Sequence, residues 1–221
     1  MISARDLINN VYEDYKKIMG KTLSKALEYS KKYGVKDARR EYFMIITELN
    51  VWLLIQFDDF IVTQNKLSRK IEKYLTLSDE DRSTFVSNFD TINRASYLTQ
   101  FMFYTEQFVI VLLKKLNQTS SNGYYKNTEN LLNALTKNVG QNLKILILPA
   151  QVRNSLHGNG YTDYDIDVTL RGNSFKAKKG EQVKFTGWDN LYIMLDEMTD
   201  LIIDLVENSS INQEKFISKL H

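Results

Sequence analysis

Residues 145–160, ILILPAQVRNSLHGNG, place three polar side chains with catalytic potential at the end of an apolar run. The run contains the chain's only proline and leads into Arg153, Asn154 and His157, which two glycines follow closely. An arginine offers a planar fork of donors to a phosphate and keeps its charge at any working pH. A histidine titrates near neutrality, so it can take or give a proton during a reaction. These residue types therefore suit chemistry at a phosphate.

The spacing predicts that the three side chains share the end of one helix. Arg153 and His157 are four positions apart and so lie on nearly the same helical face, with Asn154 about 100° round from Arg153. The asparagine can orient the histidine or donate to a developing oxyanion. Together the three residues suit attack of a ribose 2′-hydroxyl on the adjacent phosphate, which needs no metal, with the arginine stabilising the added negative charge.

A structural role explains the same residues equally well. Basic residues in the last turn of a helix are favoured by the helix dipole, and glycines commonly follow a helix C-terminus. Short motifs of this kind are more often structural than catalytic. Taken alone, Arg153 and His157 could therefore stabilise a helix end instead of handling phosphate.

One glutamate upstream is a candidate member of the same site. Glu106 is the only charged residue between Tyr97 and Leu113, on a helix that the pattern predicts to be largely buried. A buried carboxylate needs a partner, and Arg153 would supply one. The alternative is a glutamate at the edge of the apolar stripe that reaches water. Glu48, isolated in MIITELNVWLL, raises the same question with weaker support.

The composition favours an intracellular protein without a bound metal. The 221 residues include no cysteine and two histidines, which excludes disulfides, thiolate zinc sites and multi-histidine metal cages. The first residues lack the apolar stretch of a secretory signal, and the two longest apolar segments each carry a glutamate and are short for a membrane span. We therefore expect a soluble, cytoplasmic protein that needs no cofactor and does not contact a membrane.

The charge balance argues against a dedicated DNA-binding module. The chain carries 29 basic and 27 acidic residues, for a formal net charge of +2. Proteins that coat nucleic acid usually show a clear basic excess. The balance still allows an enzyme that touches RNA at one local patch.

Apolar patterning and the scarcity of glycine and proline predict long helices. One proline and nine glycines leave few turn signals in a chain of this length. The pattern predicts five helices before Gly158, with apolar residues irregularly placed in the first, nearly all round in the second, and at three- and four-residue spacing in the third. They cover residues 4–32 (one helix, or a pair broken near Gly20), 36–76, 78–115 with Ser78 as N-cap, about 127–137, and 141–156, where Pro149 kinks or restarts the helix.

After Gly160 the period changes from helix to strand. The segment from Asp163 to Leu170 alternates between two kinds of residue. Tyr164 and every second residue after it are aromatic or apolar, and the positions between them are aspartates and a threonine. RGNS then supplies a turn to a second strand. The aspartates of DYDID are expected to pair across the hairpin with lysines of FKAKKG, as a solvated face and not as a calcium loop.

An amphipathic helix, with Asp189 as the predicted N-cap, closes the chain. The predicted fold class is therefore all-α: a single helical domain over residues 1–221, in which a β-hairpin appendage at about 161–186 precedes the last long helix.

The segment RNSLHGNG, at the end of an apolar helix and before a hairpin and a final amphipathic helix, resembles the HEPN superfamily. That family consists of helical bundles that usually dimerise, and many members are metal-independent RNases in toxin–antitoxin, abortive-infection and other defence systems. The resemblance implies that Arg153 and His157 form the catalytic pair, with Asn154 as the polar residue after the arginine. Three residues separate Arg153 from His157, one fewer than in the family's catalytic motif.

Two hypotheses follow from these observations. The first is an HEPN-like endoribonuclease that acts on RNA as a homodimer, in which Asn154 and Glu106 hold the geometry around Arg153 and His157. The resemblance also implies a toxin or phage-defence role, with an antitoxin or another regulatory protein as partner. The second is a non-catalytic helical interaction module, in which the same residues stabilise a helix end and a dimer. The shortened spacing favours the second hypothesis.

Overall fold

The computed structural model describes residues 4–74, 78–135, 138–207 and 209–218. Over these described ranges the fold is mostly helical (71% helix), with six α-helices and one antiparallel hairpin before the last long helix, which confirms the all-α prediction. The elements are α1 (Ala4–Tyr33), α2 (Ala38–Tyr74), α3 (Asp79–Lys115), α4 (Tyr124–Ala134), α5 (Val139–His157), β1 (Ile166–Leu170), β2 (Asn173–Ala177), α6 (Trp188–Glu207) and a 3₁₀ turn (Ser210–Gln213).

Two helices continue where the sequence suggested an interruption. Helix α1 runs unbroken past Gly20, because buried residues from Val11 to Tyr29 recur at three- and four-residue spacing on one face and pack against the core. Helix α5 runs through the buried Pro149 without a break, although proline removes one backbone donor from the helix. Tertiary packing thus outweighs the local signal at both positions.

Aromatic packing and buried hydrogen bonds join α2 to α3. The rings of Tyr42 and Phe108 stack with their centroids 4.4 Å apart and their planes within 6°. The Tyr42 hydroxyl also lies 3.1 Å from the Thr105 hydroxyl, and the Tyr97 hydroxyl donates to Asn50 Oδ1 over 3.1 Å. These contacts fix the rotation of α3 about its axis. In that orientation Glu106 and Thr99 lie on the side of α3 that faces α5.

Helix α6 begins at Trp188, one residue before the predicted cap. The Leu191 amide donates to the Gly187 carbonyl over 2.9 Å, so Gly187 occupies the cap position and Asp189 lies in the first turn. Trp188 is held by packing: the Tyr15 hydroxyl donates to its carbonyl, and its own indole N–H donates to Asp90. No helix within the described ranges is long and apolar enough to cross a membrane.

The hairpin forms as the alternation predicts, but it begins later. Ile166 pairs with Ala177 at its open end, so Tyr164 lies outside β1 and is 49% exposed instead of facing inward. The turn places Arg171 and Gly172 at φ values of 48° and 79°.

The outward face of the hairpin is cross-paired as expected. Lys176 Nζ lies 3.3 Å from Asp167, and Lys178 Nζ lies 3.5 Å from Asp165. These carboxylates therefore belong to a solvated, ion-paired surface.

Candidate functional site

The last turns of α5 present one buried and one outward face. Leu148, Val152 and Ser155 are buried at four- and three-residue spacing, and the Ser155 hydroxyl donates to the Val152 carbonyl over 2.8 Å. The intervening Arg153 is therefore only partly buried, while Asn154 and His157 are exposed.

Backbone groups close the end of α5. The Gly158 amide donates to the carbonyls of Asn154 (2.9 Å) and Ser155 (3.0 Å), and the Gly160 amide donates to Ser155 over 2.8 Å. Asn159 and Gly160 take left-handed conformations, with φ of 57° and 88°. The side chains of α5 are thus not needed as caps for these carbonyls, which weakens the purely structural interpretation of the motif.

Asn154 orients the guanidinium of Arg153. Its Oδ1 accepts hydrogen bonds from Arg153 Nε over 3.2 Å and from Arg153 Nη2 over 3.0 Å. Among the residues whose side chains are described, no carboxylate lies within ion-pair distance of Arg153. The other N–H groups of the fork remain available to an anion.

His157 is turned toward α3. Its Nε2 lies 3.0 Å from Thr99 Oγ1, across a contact between exposed residues 58 positions apart in the chain. The histidine therefore sits one turn beyond Arg153 on the same helix, with its ring held against α3.

A cleft of about 620 Å³ opens beside Arg153 between the ends of α3, α4 and α5. We call it the tyrosine cleft because three tyrosines line it. Its polar and aromatic lining residues are Glu106, Tyr124, Tyr125, Gln151, Arg153, Asn154 and Tyr164. His157 does not line this cleft. The structure therefore brings together three of the four predicted site residues and places the fourth at the neighbouring turn.

Glu106 shares the tyrosine cleft with Arg153 but does not pair with it. The carboxylate is partly buried, and within the described part of the chain it makes neither an ion pair nor a hydrogen bond. Both charges act on the buried Tyr124. Burial raises the pKa of the Tyr124 phenol, Glu106 adds to the rise and Arg153 opposes it. The direct ion pair expected from the sequence is thus replaced by two separate charges in one cleft.

Glu48 lies elsewhere. It is exposed on α2 and does not line the tyrosine cleft. Its side chain therefore reaches water, which is the alternative that the sequence left open for both Glu48 and Glu106.

Sequence reasoning missed all three aromatic residues of the cleft, the buried Tyr124 and the exposed Tyr125 and Tyr164. Tyr125 and Tyr164 are 55% and 49% exposed, and neither ring contacts another aromatic ring among the described residues. The available signal was the position of Tyr125 two residues after the loop glycine in NGYYKN, where a large aromatic side chain has few core neighbours. Tyr164 was not recognised because it fits the alternating pattern of a strand, which predicts an inward-facing side chain.

Comparison of the chain with protein-family models, with curated proteins and with solved structures finds no match. The likeness to the HEPN motif therefore rests on the residues at the end of α5 and on the order of the elements around them.

Proposed function

We propose that this chain is a metal-independent endoribonuclease of HEPN type that acts at the end of α5. The observation that carries the proposal is the state of Arg153. Its guanidinium is oriented by Asn154, has no carboxylate partner among the described side chains, and lines a cleft of nucleotide size. An arginine held in this way is a ready ligand for a phosphate.

The proposed reaction is an internal transfer at phosphorus. The ribose 2′-oxygen attacks the adjacent phosphorus while His157 takes the 2′-hydroxyl proton as general base. The bond from phosphorus to the 5′-oxygen of the next nucleotide breaks, and that oxygen takes a proton from solvent. Arg153 binds the non-bridging oxygens, whose negative charge grows in the transition state. The products are a 2′,3′-cyclic phosphate and a 5′-hydroxyl.

Asn154 is a positioning residue in this proposal. It contacts Arg153 and fixes the plane of the guanidinium, so the fork meets the phosphate in one orientation. Thr99 does the same for His157, since a hydrogen bond to one ring nitrogen selects the tautomer that leaves the other nitrogen for catalysis.

A homodimer is the proposed assembly. Exposed apolar side chains lie on one face of α2, at Val51, Trp52 and Ile55, and others lie on α3, at Ile92 and Phe103. Trp52 and Ile92 are each 64% exposed, and apolar patches of this kind commonly mark protein–protein contacts. The exposed residues on α3 lie near Thr99, so a second copy docked there would bring two α5 ends close together.

The cellular role that we propose follows from the HEPN resemblance. It is that of a toxin or phage-defence effector, held in check by an antitoxin or another regulatory protein. Unrestrained RNA cleavage harms the cell, so expression of the wild-type chain should slow growth, and His157→Ala should relieve that effect.

One observation favours a second candidate, a non-catalytic dimerisation module. The His157 ring is engaged by Thr99 and stays outside the tyrosine cleft, and its spacing from Arg153 is shortened. In that case His157→Ala would lower stability, and there would be no cleavage to lose.

The test is RNA cleavage in EDTA, with chemical analysis of the new ends. Wild type should leave 2′,3′-cyclic phosphate ends, and His157→Ala should slow cleavage by about 10²- to 10⁴-fold. The matched control is Lys144→Ala, an exposed basic residue on α5 whose Nζ reaches only the Asp167 carbonyl at 3.4 Å. It should cleave at the wild-type rate. Intact RNA after incubation with folded wild type would overturn the ribonuclease proposal and favour the interaction module.

A further inference from the structure

Two opposite charges face one cleft without touching. Glu106 enters from α3 and Arg153 from α5, both partly buried, and no ion pair joins them. Desolvated charges of opposite sign normally pair directly, because an unpaired one loses solvation without compensation. The gap between them fits a ligand that offers an anion to Arg153 and hydrogen-bond donors to Glu106.

The walls of the cleft suit a flat aromatic group. Tyr125 and Tyr164 present large exposed rings to it, and Ile147 and Ala150 supply apolar surface. Among the described residues, neither phenolic hydroxyl has a hydrogen-bond partner and neither ring packs on another aromatic ring, since Tyr164 bonds to Thr162 through its backbone alone. Exposed tyrosines beside a positive charge are the usual means of holding an unpaired base next to its phosphate.

We infer that the tyrosine cleft binds one unpaired nucleotide and selects guanine. Its phosphate lies on Arg153, its base stacks on Tyr125 or Tyr164, and its Watson–Crick edge donates to Glu106. A volume of about 620 Å³ lies within the usual range for small-molecule sites. This inference deepens the proposed function, on which it rests, by naming the substrate class of the same site.

The preference for guanine follows from the carboxylate. An ionised carboxylate accepts and does not donate, and it has two oxygens side by side. On its Watson–Crick edge, guanine carries two adjacent donors, N1–H and the N2 amino group. Adenine, cytosine and uracil each offer a donor at one position of that edge. Guanine alone can therefore make two parallel hydrogen bonds to Glu106, and a bidentate pair of this kind discriminates strongly between bases.

The test measures binding without cleavage. Oligonucleotides with 2′-O-methyl ribose keep the phosphate and the base but cannot react, because the attacking hydroxyl is blocked. Fluorescence anisotropy should show single strands that contain guanine binding about tenfold more tightly than oligouridine. A duplex of the same sequence should bind more weakly, since its bases are already paired and stacked.

Glu106→Gln is the decisive variant. It keeps the size of the side chain but removes one acceptor oxygen, so the guanine preference should fall to about twofold or less. Its matched control is Glu48→Gln, which changes an exposed glutamate outside the cleft and should keep the full preference. A preference that survives Glu106→Gln, or equal binding of all single strands by wild type, would overturn the inference.

The stacking role has its own pair of variants. Tyr125→Ala and Tyr164→Ala should each weaken binding of every single strand by about tenfold, as loss of a base–aromatic contact does. Tyr161→Ala removes a tyrosine of similar exposure, 55%, that does not line the cleft, and should leave binding unchanged. Equal losses in all three variants would contradict the assignment.

Competition with guanosine monophosphate distinguishes two sources of the ligand. If guanosine monophosphate displaces the oligonucleotide at a comparable concentration of nucleotide, a free guanine nucleotide is sufficient to fill the cleft. Displacement only by longer strands would identify RNA. Failure of the ribonuclease proposal would appear as intact RNA with the guanine preference retained, whereas failure of this inference would appear as cleavage without base preference in binding.

Discussion

Two arginines of this chain occupy opposite kinds of environment. Arg39, at the start of α2, is fully buried, and each of its three guanidinium nitrogens has a hydrogen-bond partner within the protein. Its Nε and Nη2 bind the carboxylate of Asp37 at 2.8 Å, and other donors reach the carbonyls of Ile211 and Glu214 at 2.9 and 3.0 Å. The guanidinium also lies 3.3 Å from the centre of the Tyr33 ring.

Arg153 shows the reverse pattern. It is only partly buried, contacts one neutral side chain, Asn154, and leaves part of its donor fork turned toward a cleft. The number of satisfied donors thus separates a structural arginine from one that can bind a ligand. The buried pair of Arg39 and Asp37 ties the C-terminal segment to the turn before α2, since Asp37 also accepts from the Ile217 amide over 3.0 Å. Among the described residues, the hydrogen bonds of the Arg153 side chain reach only the adjacent Asn154 and join no two segments of the chain.

The largest effect on stability is expected at Arg39. Arg39→Ala leaves the Asp37 carboxylate buried without its cation, which should cost about 3–5 kcal/mol of the unfolding free energy. Urea unfolding measures this loss. The double variant with Asp37→Ala should be less destabilised than the sum of the single variants, because it removes both charges together. A loss below about 1 kcal/mol for Arg39→Ala would show that the pair is not a structural clamp.

A smaller effect, on activity alone, is expected at Asn154. Asn154→Ala removes both hydrogen bonds that orient Arg153, so cleavage should slow by about tenfold while the unfolding free energy changes by less than about 0.5 kcal/mol. Asn154→Asp sharpens the comparison, because it gives Arg153 the carboxylate partner that Arg39 already has. That variant should cleave at least as slowly as Asn154→Ala. Faster cleavage would contradict the requirement for an unpaired guanidinium.

The smallest effect is expected at Thr99. Thr99→Val keeps the shape of the side chain but removes the hydrogen bond to His157, and the loss of one neutral hydrogen bond should slow cleavage roughly threefold to tenfold. Single-turnover rates at neutral pH provide the measurement. If the histidine serves only to join α5 to α3, the variant will instead lower the melting temperature and leave the cleavage rate unchanged.

The fold was predictable from the sequence because its signals are local. Apolar segments with few glycines or prolines placed the helices, and the change to alternation after Gly160, with a glycine turn at Gly172, placed the hairpin. The errors arose where packing overrode a local signal. Of the two alternatives for residues 4–32, the structure shows the single helix without a break near Gly20, and the cap assigned to Asp189 belongs to Gly187, since Trp188 packs in the aromatic core.

The candidate site was predictable only in part. The motif on α5 could be recognised because its residues lie within one helix turn of each other. The separation of Glu106 from Arg153 and the contact of His157 with Thr99 depend on the rotation of α3 against α5, which no local pattern encodes. The exposure of Tyr164 depends in turn on where the strands begin to pair.

The most direct test of the ribonuclease proposal compares activity and stability in Arg153→Ala. Single-turnover RNA cleavage in EDTA and urea unfolding would be measured on the same preparation. Our proposal predicts cleavage slowed by about 10²- to 10³-fold, with the unfolding free energy within about 0.5 kcal/mol of wild type. Cleavage at the wild-type rate by Arg153→Ala would contradict the proposal. So would intact RNA after incubation with the wild-type protein, together with a large loss of stability in Arg153→Ala.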